Sequence, residues 1–185
     1  MNETKYLTLS ELEAGLDEIR KSPKDEGVLE MIVIRPRINE REVLETGELD
    51  SEQGLVGDNW KTRGSSRTND GFGHPEMQLN IMNSRAVSLI ARTKERWPLA
   101  GDQLYVDMDL SEENLLPGSR LEIGSSIIEI TEIPHNGCKK FTDRFGVDAV
   151  KFVNSETGKQ LHLRGLNAKV IKSGMIRTGD AVKKI

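Results

Sequence analysis

Apolar and polar residues alternate with a period of two along most of this chain, and in two places the spacing shifts to that of a helix. The first helical stretch lies near the N-terminus. Ser10 and Glu13 form a capping-box pattern there, and Leu12, Leu16 and Ile19 recur at helical intervals. "KSPKDEG" (Lys21 to Gly27) is a polar break, so residues 1–26 read as a helical extension preceding a main body of 27–185. The second helix is capped at Asn83 or Ser84, presents Ala86, Val87, Leu89 and Ile90 on one face, and ends at "RTKERWP".

Strands account for the rest. "VLEMIVIRP" (Val28 to Pro36) is a β-branched, apolar run stopped by proline. "REVLETGEL" (Arg41 to Leu49) is charged enough to be an edge strand, and "MQLNIM" (Met77 to Met82) is a third strand. In "QLYVDMDL", Leu104, Val106, Met108 and Leu110 share one face, opposite Asp107 and Asp109. "SRLEIGSSIIEITEI" reads as a hairpin turning at Gly124-Ser125. Asp148 to Val153 suits helix or strand equally. "QLHLRG", "NAKVIK" and "DAVKKI" are short strands separated by Gly165, Gly174 and Gly179. Many short strands with few helices predict a mainly β fold, a closed or nearly closed barrel with a few short helices. "KTRGSSRTNDGFGHP" (Lys61 to Pro75) is a loop long enough to suggest a role in function.

Composition narrows the class. With 36% hydrophobic and 30% charged residues over 185 positions, the chain is expected to be a water-soluble globular protein. A net charge of −4 argues against broad nucleic-acid binding, which relies on many Lys and Arg contacts to phosphate. No apolar run is long enough for a membrane-spanning helix, and "MNETKYLTLSELEAG" lacks a secretory pattern. A single cysteine allows neither an internal disulfide nor a multi-cysteine zinc site. A cytoplasmic protein with a reduced thiol is expected.

That cysteine, Cys138, lies in "IPHNGCKKFTDRFG". One reading makes it a small buried hydrophobe. The other makes it an exposed, functional thiol, since Lys139, Lys140 and Arg144 are cations able to favour a thiolate, and Gly137 leaves room for a ligand. His135 is a candidate base for Cys138, as in a cysteine-dependent hydrolase or transferase, although no Asp or Asn partner is evident. "GLVGDNW" (Gly54 to Trp60) reads either as a tight turn with Asp58 bonding local amides or as a glycine-lined ligand wall. Pro117-Gly118 marks a turn, and "HLRGLNAKV" reads as a hairpin. Should Arg63, Arg67, His74, Arg164, Lys169 and Lys172 converge, they would form one basic mouth suited to a small anionic ligand.

Taken in order, "GLVGDNW", "GDQLYVDMDLSEENLLPGSRLEIGSSIIEITEIPHNGCKKFTDRFG" and "RGLNAKVIKSGMIRTGDAVKKI" resemble the MOSC domain, named for the C-terminal part of molybdenum cofactor sulfurase. The resemblance runs from about Gly27 to Ile185 and implies a mostly antiparallel β-barrel with peripheral helices. It further implies that Cys138 carries sulfur as a persulfide or ligates molybdenum in a pterin-type cofactor. By the same resemblance, the family's G-D motif falls on Gly57 and Asp58 and its E-N-L on Glu113, Asn114 and Leu115. Cofactor-binding expectations therefore rest on Gly57, Asp58, Arg63, Arg67, His74, Asn114, Lys139 and Arg164. A cysteine desulfurase or a molybdoenzyme acceptor would be the partner, and a non-catalytic binding module is the remaining alternative. Two positions depart from the family pattern. Asn59-Trp60 stands where members often carry a basic residue or histidine, and Gly137 where many carry proline. The large N-terminal domains of the sulfurase and of the mitochondrial reductases are not in this sequence, so neither complete activity is expected from this chain alone.

Overall fold

The computed structural model describes residues 6–185, so the part of the N-terminal reading that falls on residues 1–5 lies outside the described residues. Helix α1 (Leu9–Ala14) has its capping box two residues earlier than expected. Thr8 Oγ1 accepts from the Glu11 amide while the Glu11 carboxylate accepts from the Thr8 amide, and Ser10 sits inside the helix. After Gly15 the chain continues as α2 (Leu16–Arg20), and Leu12 and Ile19 are the residues these two helices bury.

Strand β1 (Glu26–Ile34) follows. The predicted edge strand divides at Glu45 into β2 (Glu42–Leu44) and β3 (Thr46–Asp50), and β4 (Gly54–Leu55) pairs with β3. Next come α3 (Trp60–Arg63), β5 (Leu79–Asn83) and α4 (Ser84–Ala91), the last capped by the Asn83 side chain. A 3₁₀ segment, Lys94–Ala100, leads to β6 (Leu104–Asp107). The expected hairpin forms as β7 (Arg120–Ile123) and β8 (Ser126–Ile130), with Gly124 at φ 56° in its turn. Three helices follow: α5 (Lys139–Phe145), α6 (Val147–Asn154) and α7 (Glu156–Gln160). The ambiguous stretch Asp148 to Val153 is thus helical. "QLHLRG" is not a strand, because it closes α7 and turns through His162 (φ 48°) and Gly165 (φ 107°), so "HLRGLNAKV" is not a hairpin either. Strands β9 (Leu166–Lys172), β10 (Gly174–Arg177) and β11 (Ala181–Lys184) complete the chain.

Seven strands close into a barrel in the order β1, β6, β5, β9, β8, β7, β11 and back to β1. All neighbours are antiparallel except β5 and β6, whose parallel pairing is made possible by the crossover through α4 and Lys94–Ala100. Strand β2 adds to the end of β1, and β10, β3 and β4 form a separate small sheet.

Alternation along the strands divides the apolar residues between two cores. Leu29, Ile32, Ile81, Leu104, Val106 and Ile128 fill the barrel, and Met108 and Leu110 join them as the period-two pattern of "QLYVDMDL" predicts. A bulge at Glu30 resets the register between Leu29 and Met31, so Met31 and Val33 face outward. There they meet Met82, Tyr105, Leu12 and the helical Phe141, Phe145 and Phe152. Each of those phenylalanines contributes roughly 1.5–3 kcal/mol by burial. This outer core holds α5 against the barrel end, beside the segment that precedes β6.

Candidate functional site

The last carbonyls of a helix have no donor within the helix, so a buried helix end needs side chains to bond them. At the end of Lys94–Ala100, arginines do this on four successive residues. Arg41 Nε donates to the Pro98 carbonyl (3.2 Å), Arg144 Nη1 to Leu99 (2.8 Å), Arg164 Nη2 to Ala100 (2.8 Å) and Arg35 Nη1 to Gly101 (3.0 Å). The Tyr105 hydroxyl takes the Trp97 carbonyl at 2.7 Å. Four guanidinium groups from the residue after β1, the loop before β2, α5 and the turn before β9 are thereby brought to one short stretch of backbone.

Two of the four are neutralised. Arg35 makes a two-pronged pair with the fully buried Asp58, Nε to Oδ1 and Nη2 to Oδ2, both at 2.8 Å. Asp58 also accepts from the Arg35 and Trp60 amides, and Gly57 at φ 92° turns the chain so that it can. Arg164 donates twice through Nη1 to buried Asp102, at 3.0 and 2.7 Å, while the Phe141 ring of α5 lies 4.9 Å from its guanidinium carbon. Burial pushes the Asp102 carboxyl up, against the pull of Arg164.

Arg41, Arg144 and Arg63 have no carboxylate partner among the described residues. Arg41 Nη2 and Arg144 Nη1 both face the bare side of Gly101, where a Cβ would come within 3.8 and 3.7 Å of them. Burial, then the charges of Arg144 and Arg35, hold Arg41 below the ordinary arginine value. Partial desolvation followed by Arg35 does the same for Arg63, although the residue lies at the surface. Such a crowd of like charges is relieved by an anion.

Cys138 is exposed, which removes the reading of a packed thiol. It caps α5, its carbonyl accepting from the Phe141 and Thr142 amides at 3.0 Å, and its sulfur has no hydrogen-bond partner among the described residues. At 1.5 Å per residue, Arg144 lies about 9 Å further along the same helix. Lys139 instead pairs with Asp143 on its own helix at 2.9 Å.

Gly137 does not open a path for a ligand. A Cβ there would come within 2.7 Å of Val150 and 2.9 Å of Val153, while the Gly137 amide and carbonyl are both bonded by Asn154. Gly137→Ala should therefore lower stability by about 1–2 kcal/mol through overpacking against α6, measured by urea unfolding, rather than change thiol access.

The other expected residues separate. His135 makes no hydrogen bond to Cys138; its ring lies beside Asp102, Nδ1 to Oδ1 3.5 Å. Asn114 fastens its loop to the Lys24 and Asp109 carbonyls and to Lys184, and makes no hydrogen bond to the arginines at residues 98–101. His74 caps the 3₁₀ turn Pro75–Met77 by accepting from the Glu76 amide, and exposed Arg67 has only a backbone bond to Ser65, so neither joins the cluster. Lys169 pairs with Glu76 at 2.8 Å. Among the described residues, no group of three or more His, Cys, Asp or Glu is placed to hold a metal ion.

Sequence reading missed Arg35, Arg41, Asp102, Gln103, Asn80 and Asn167. Asn80 Nδ2 donates to Asn167 Oδ1 at 2.7 Å across the β5–β9 pair, and Asn167 continues to the Ile133 carbonyl. Gln103 accepts from the Asn80 amide. One available signal was a polar residue inside an otherwise apolar strand, as in "LNIM" and "GLNAKV".

The sequence matches the MOSC domain family over residues 68–183, more than half of the chain. The chain belongs to the MOSC domain family. No curated protein matches it. Among solved structures, the YuaD protein from Bacillus subtilis is similar with a TM-score of 0.63 at 16% identity, over 85% of this chain and 94% of that one. YiiM from Escherichia coli is similar with a TM-score of 0.55 at 19% identity, over 85% of this chain and 69% of the other. A further hypothetical protein gives 0.61 at 19% identity, over 90% and 70%. At these identities the likeness concerns the fold, and the MOSC barrel described above is that fold.

Proposed function

We propose that this MOSC protein holds an anionic, molybdenum–pterin-type cofactor on Arg41, Arg144 and Arg63, with the Cys138 thiolate carrying sulfur as a persulfide or ligating the metal. One observation carries this reading. Two cations without carboxylate partners, Arg41 and Arg144, meet at Gly101, Arg63 lies within electrostatic reach of Arg41, and Arg144 shares a short helix with an exposed thiol. The residues fit such a group because guanidinium forks suit phosphate oxygens and a soft thiolate suits molybdenum. When bound, the cofactor would supply redox chemistry at the metal; the chain's own residues anchor the anion and present the sulfur. The protein's expected setting is the cytoplasm, with a cysteine desulfurase or a molybdoenzyme as its partner.

In sulfur carriage, the Cys138 thiolate attacks the outer sulfur of a donor persulfide. The Cys138 S–S bond forms, the donor S–S bond breaks, and the donor leaves as a thiolate, with no net oxidation. Native mass spectrometry after incubation with a cysteine desulfurase and cysteine should show a gain of about 32 Da that Cys138→Ala abolishes. Calorimetric titration with inorganic pyrophosphate should show binding weakened about tenfold by Arg41→Ala or Arg144→Ala, as expected for loss of one charge-assisted contact. An unmodified Cys138 in a protein that does not bind pyrophosphate would overturn the proposal.

A further inference from the structure

A cavity lined in part by Arg164 lies between the end of β8, the Pro134–Asn136 segment and α7. Its volume is about 390 Å³, within the range of small-molecule sites, and Cys138 is not among its lining residues. Leu115, Ile130, Ile133, Val153 and Leu166 make its walls mostly apolar. Among its polar lining residues, Arg164 and His135 each carry a buried nitrogen without a hydrogen-bond partner: Arg164 Nε and His135 Nδ1. The Arg164 side chain is 7% exposed and that of His135 16%.

Leaving a buried donor unbonded costs about 1–3 kcal/mol, so two in one cavity are unusual unless something else bonds them. The acceptor closest to His135 Nδ1 is Asp102 Oδ1 at 3.5 Å, beyond ordinary hydrogen-bond length, although its charge favours the proton on that nitrogen. Arg164 has spent Nη1 on Asp102 and Nη2 on the Ala100 carbonyl, leaving Nε–H. Both free groups are thus donors, and what they lack is an acceptor. Asp102 neutralises Arg164 and Asp58 neutralises Arg35, so the two unbonded donors, rather than a net charge, mark the site. Burial first, then the charges of Arg164 and Arg35, keep the His135 imidazole well below its ordinary pKa. Lys159, at the cavity's edge, has no carboxylate partner among the described residues, while Glu112 and Glu132 at the same edge disfavour a multiply charged anion.

We propose that this cavity binds a small, singly charged organic carboxylate, its apolar body against Ile130, Ile133 and Leu166 and its carboxylate accepting from Arg164 Nε and His135 Nδ1. The site shares Arg164 with the arginines at residues 98–101 but contains none of Arg41, Arg63 and Arg144, and it does not depend on the cofactor reading.

Benzoate serves as the probe, with benzyl alcohol and benzylamine as its neutral and cationic counterparts, followed by amide NMR shifts and thermal shift on the full chain. Benzoate should bind in the millimolar range or tighter, in line with its few heavy atoms, and at least about tenfold more tightly than either counterpart. Amides of residues 130–133, 135, 136 and 164–166 should report it. Pro134→Trp, at an exposed position on the cavity wall, should weaken binding at least tenfold without unfolding the protein. His135→Phe, which keeps a ring and removes the donor, should weaken it about threefold to tenfold. Saturating pyrophosphate should leave benzoate bound, which separates this cavity from the anion cluster. Equal binding of benzyl alcohol overturns the role given to charge. Benzoate binding unaffected by Pro134→Trp, or lost to pyrophosphate, overturns the location.

Discussion

Asp58→Ala is expected to lower the unfolding free energy by about 3–5 kcal/mol, the usual cost of removing one partner from a buried ion pair. The Asp58 side chain is fully buried, and it accepts from Arg35 Nε and Nη2 and from the Arg35 and Trp60 amides. Without it the Arg35 charge, itself 5% exposed, stays inside the barrel mouth with only the Gly101 carbonyl and a long contact to Asn80. The pair Lys139–Asp143 provides the contrast. Both side chains are largely in water, so Asp143→Ala should change stability by less than about 1 kcal/mol. For a chain of this length the Asp58 variant should melt on the order of 10 °C lower. A double change, Arg35→Met with Asp58→Leu, should recover much of the loss, because the stranded charge is then gone. Thermal and urea unfolding of the three variants decide the matter. Equal effects of Asp58→Ala and Asp143→Ala would show that the buried pair does not organise the mouth.

That prediction gives the G-D motif a physical meaning that its sequence context leaves open. From "GLVGDNW", a local turn and a ligand wall are both reasonable. In the structure Asp58 reaches across to Arg35, 23 positions earlier, and through it to the backbone before β6. It shapes the site from beneath and is not itself free to meet a ligand. The barrel was far more legible, because period-two alternation is a local signal: "VLEMIVI", "QLYVDMDL" and "SRLEIGSSIIEI" each show which face is buried. Where local pattern failed, tertiary context decided. "DAVKFV" became helical because Ala149, Phe152 and Val153 share the face that meets the outer core. "QLHLRG" has strand-like alternation but is consumed by the α7 terminus, where the His162 ring takes the Leu110 carbonyl.

The candidate site was legible only in part. Cys138 was visible as the one thiol in a polar stretch, and Arg164 as a cation beyond it. The arrangement that gives them meaning is non-local: Arg35, Arg41, Arg144 and Arg164 are spread over 130 positions and converge on the carbonyls of residues 98–101. Nothing in "RWPLAGD" announces that its carbonyls need donors, because whether a helix end is buried depends on what packs over it. The same geometry explains why the Lys61–Pro75 loop contributed less than its length suggested. It folds back on Trp60, with Gly73 so close that a Cβ would come within 2.5 Å of the Trp60 carbonyl, and only Arg63 feels the cluster.

His135 supplies the prediction that ties the cavity beside Arg164 to stability. In the folded protein, burial and then Arg164 and Arg35 hold its pKa well below the usual value, so the ring stays neutral beside Asp102. In the unfolded chain the same histidine titrates near an ordinary pKa of about 6.5. Between those two values the unfolded state binds a proton that the native state refuses, so acidification through this window favours unfolding. The stability that the neutral ring preserves is fully present above about pH 6.5 and declines toward the lower, folded value. Asp102 acts in the opposite sense, since its raised carboxyl pKa lets the native state take up a proton early and offsets part of the loss. Comparing the protein with His135→Phe isolates the histidine, because Asp102, Arg164 and Arg35 remain in both. The difference in unfolding free energy should shrink on acidification by about 1.4 kcal/mol per pH unit, the linkage of one proton. Urea unfolding in steps below neutral pH measures it. Parallel profiles would mean that the ring takes up its proton as readily folded as unfolded, and the dehydrated pocket inferred around it would then be absent.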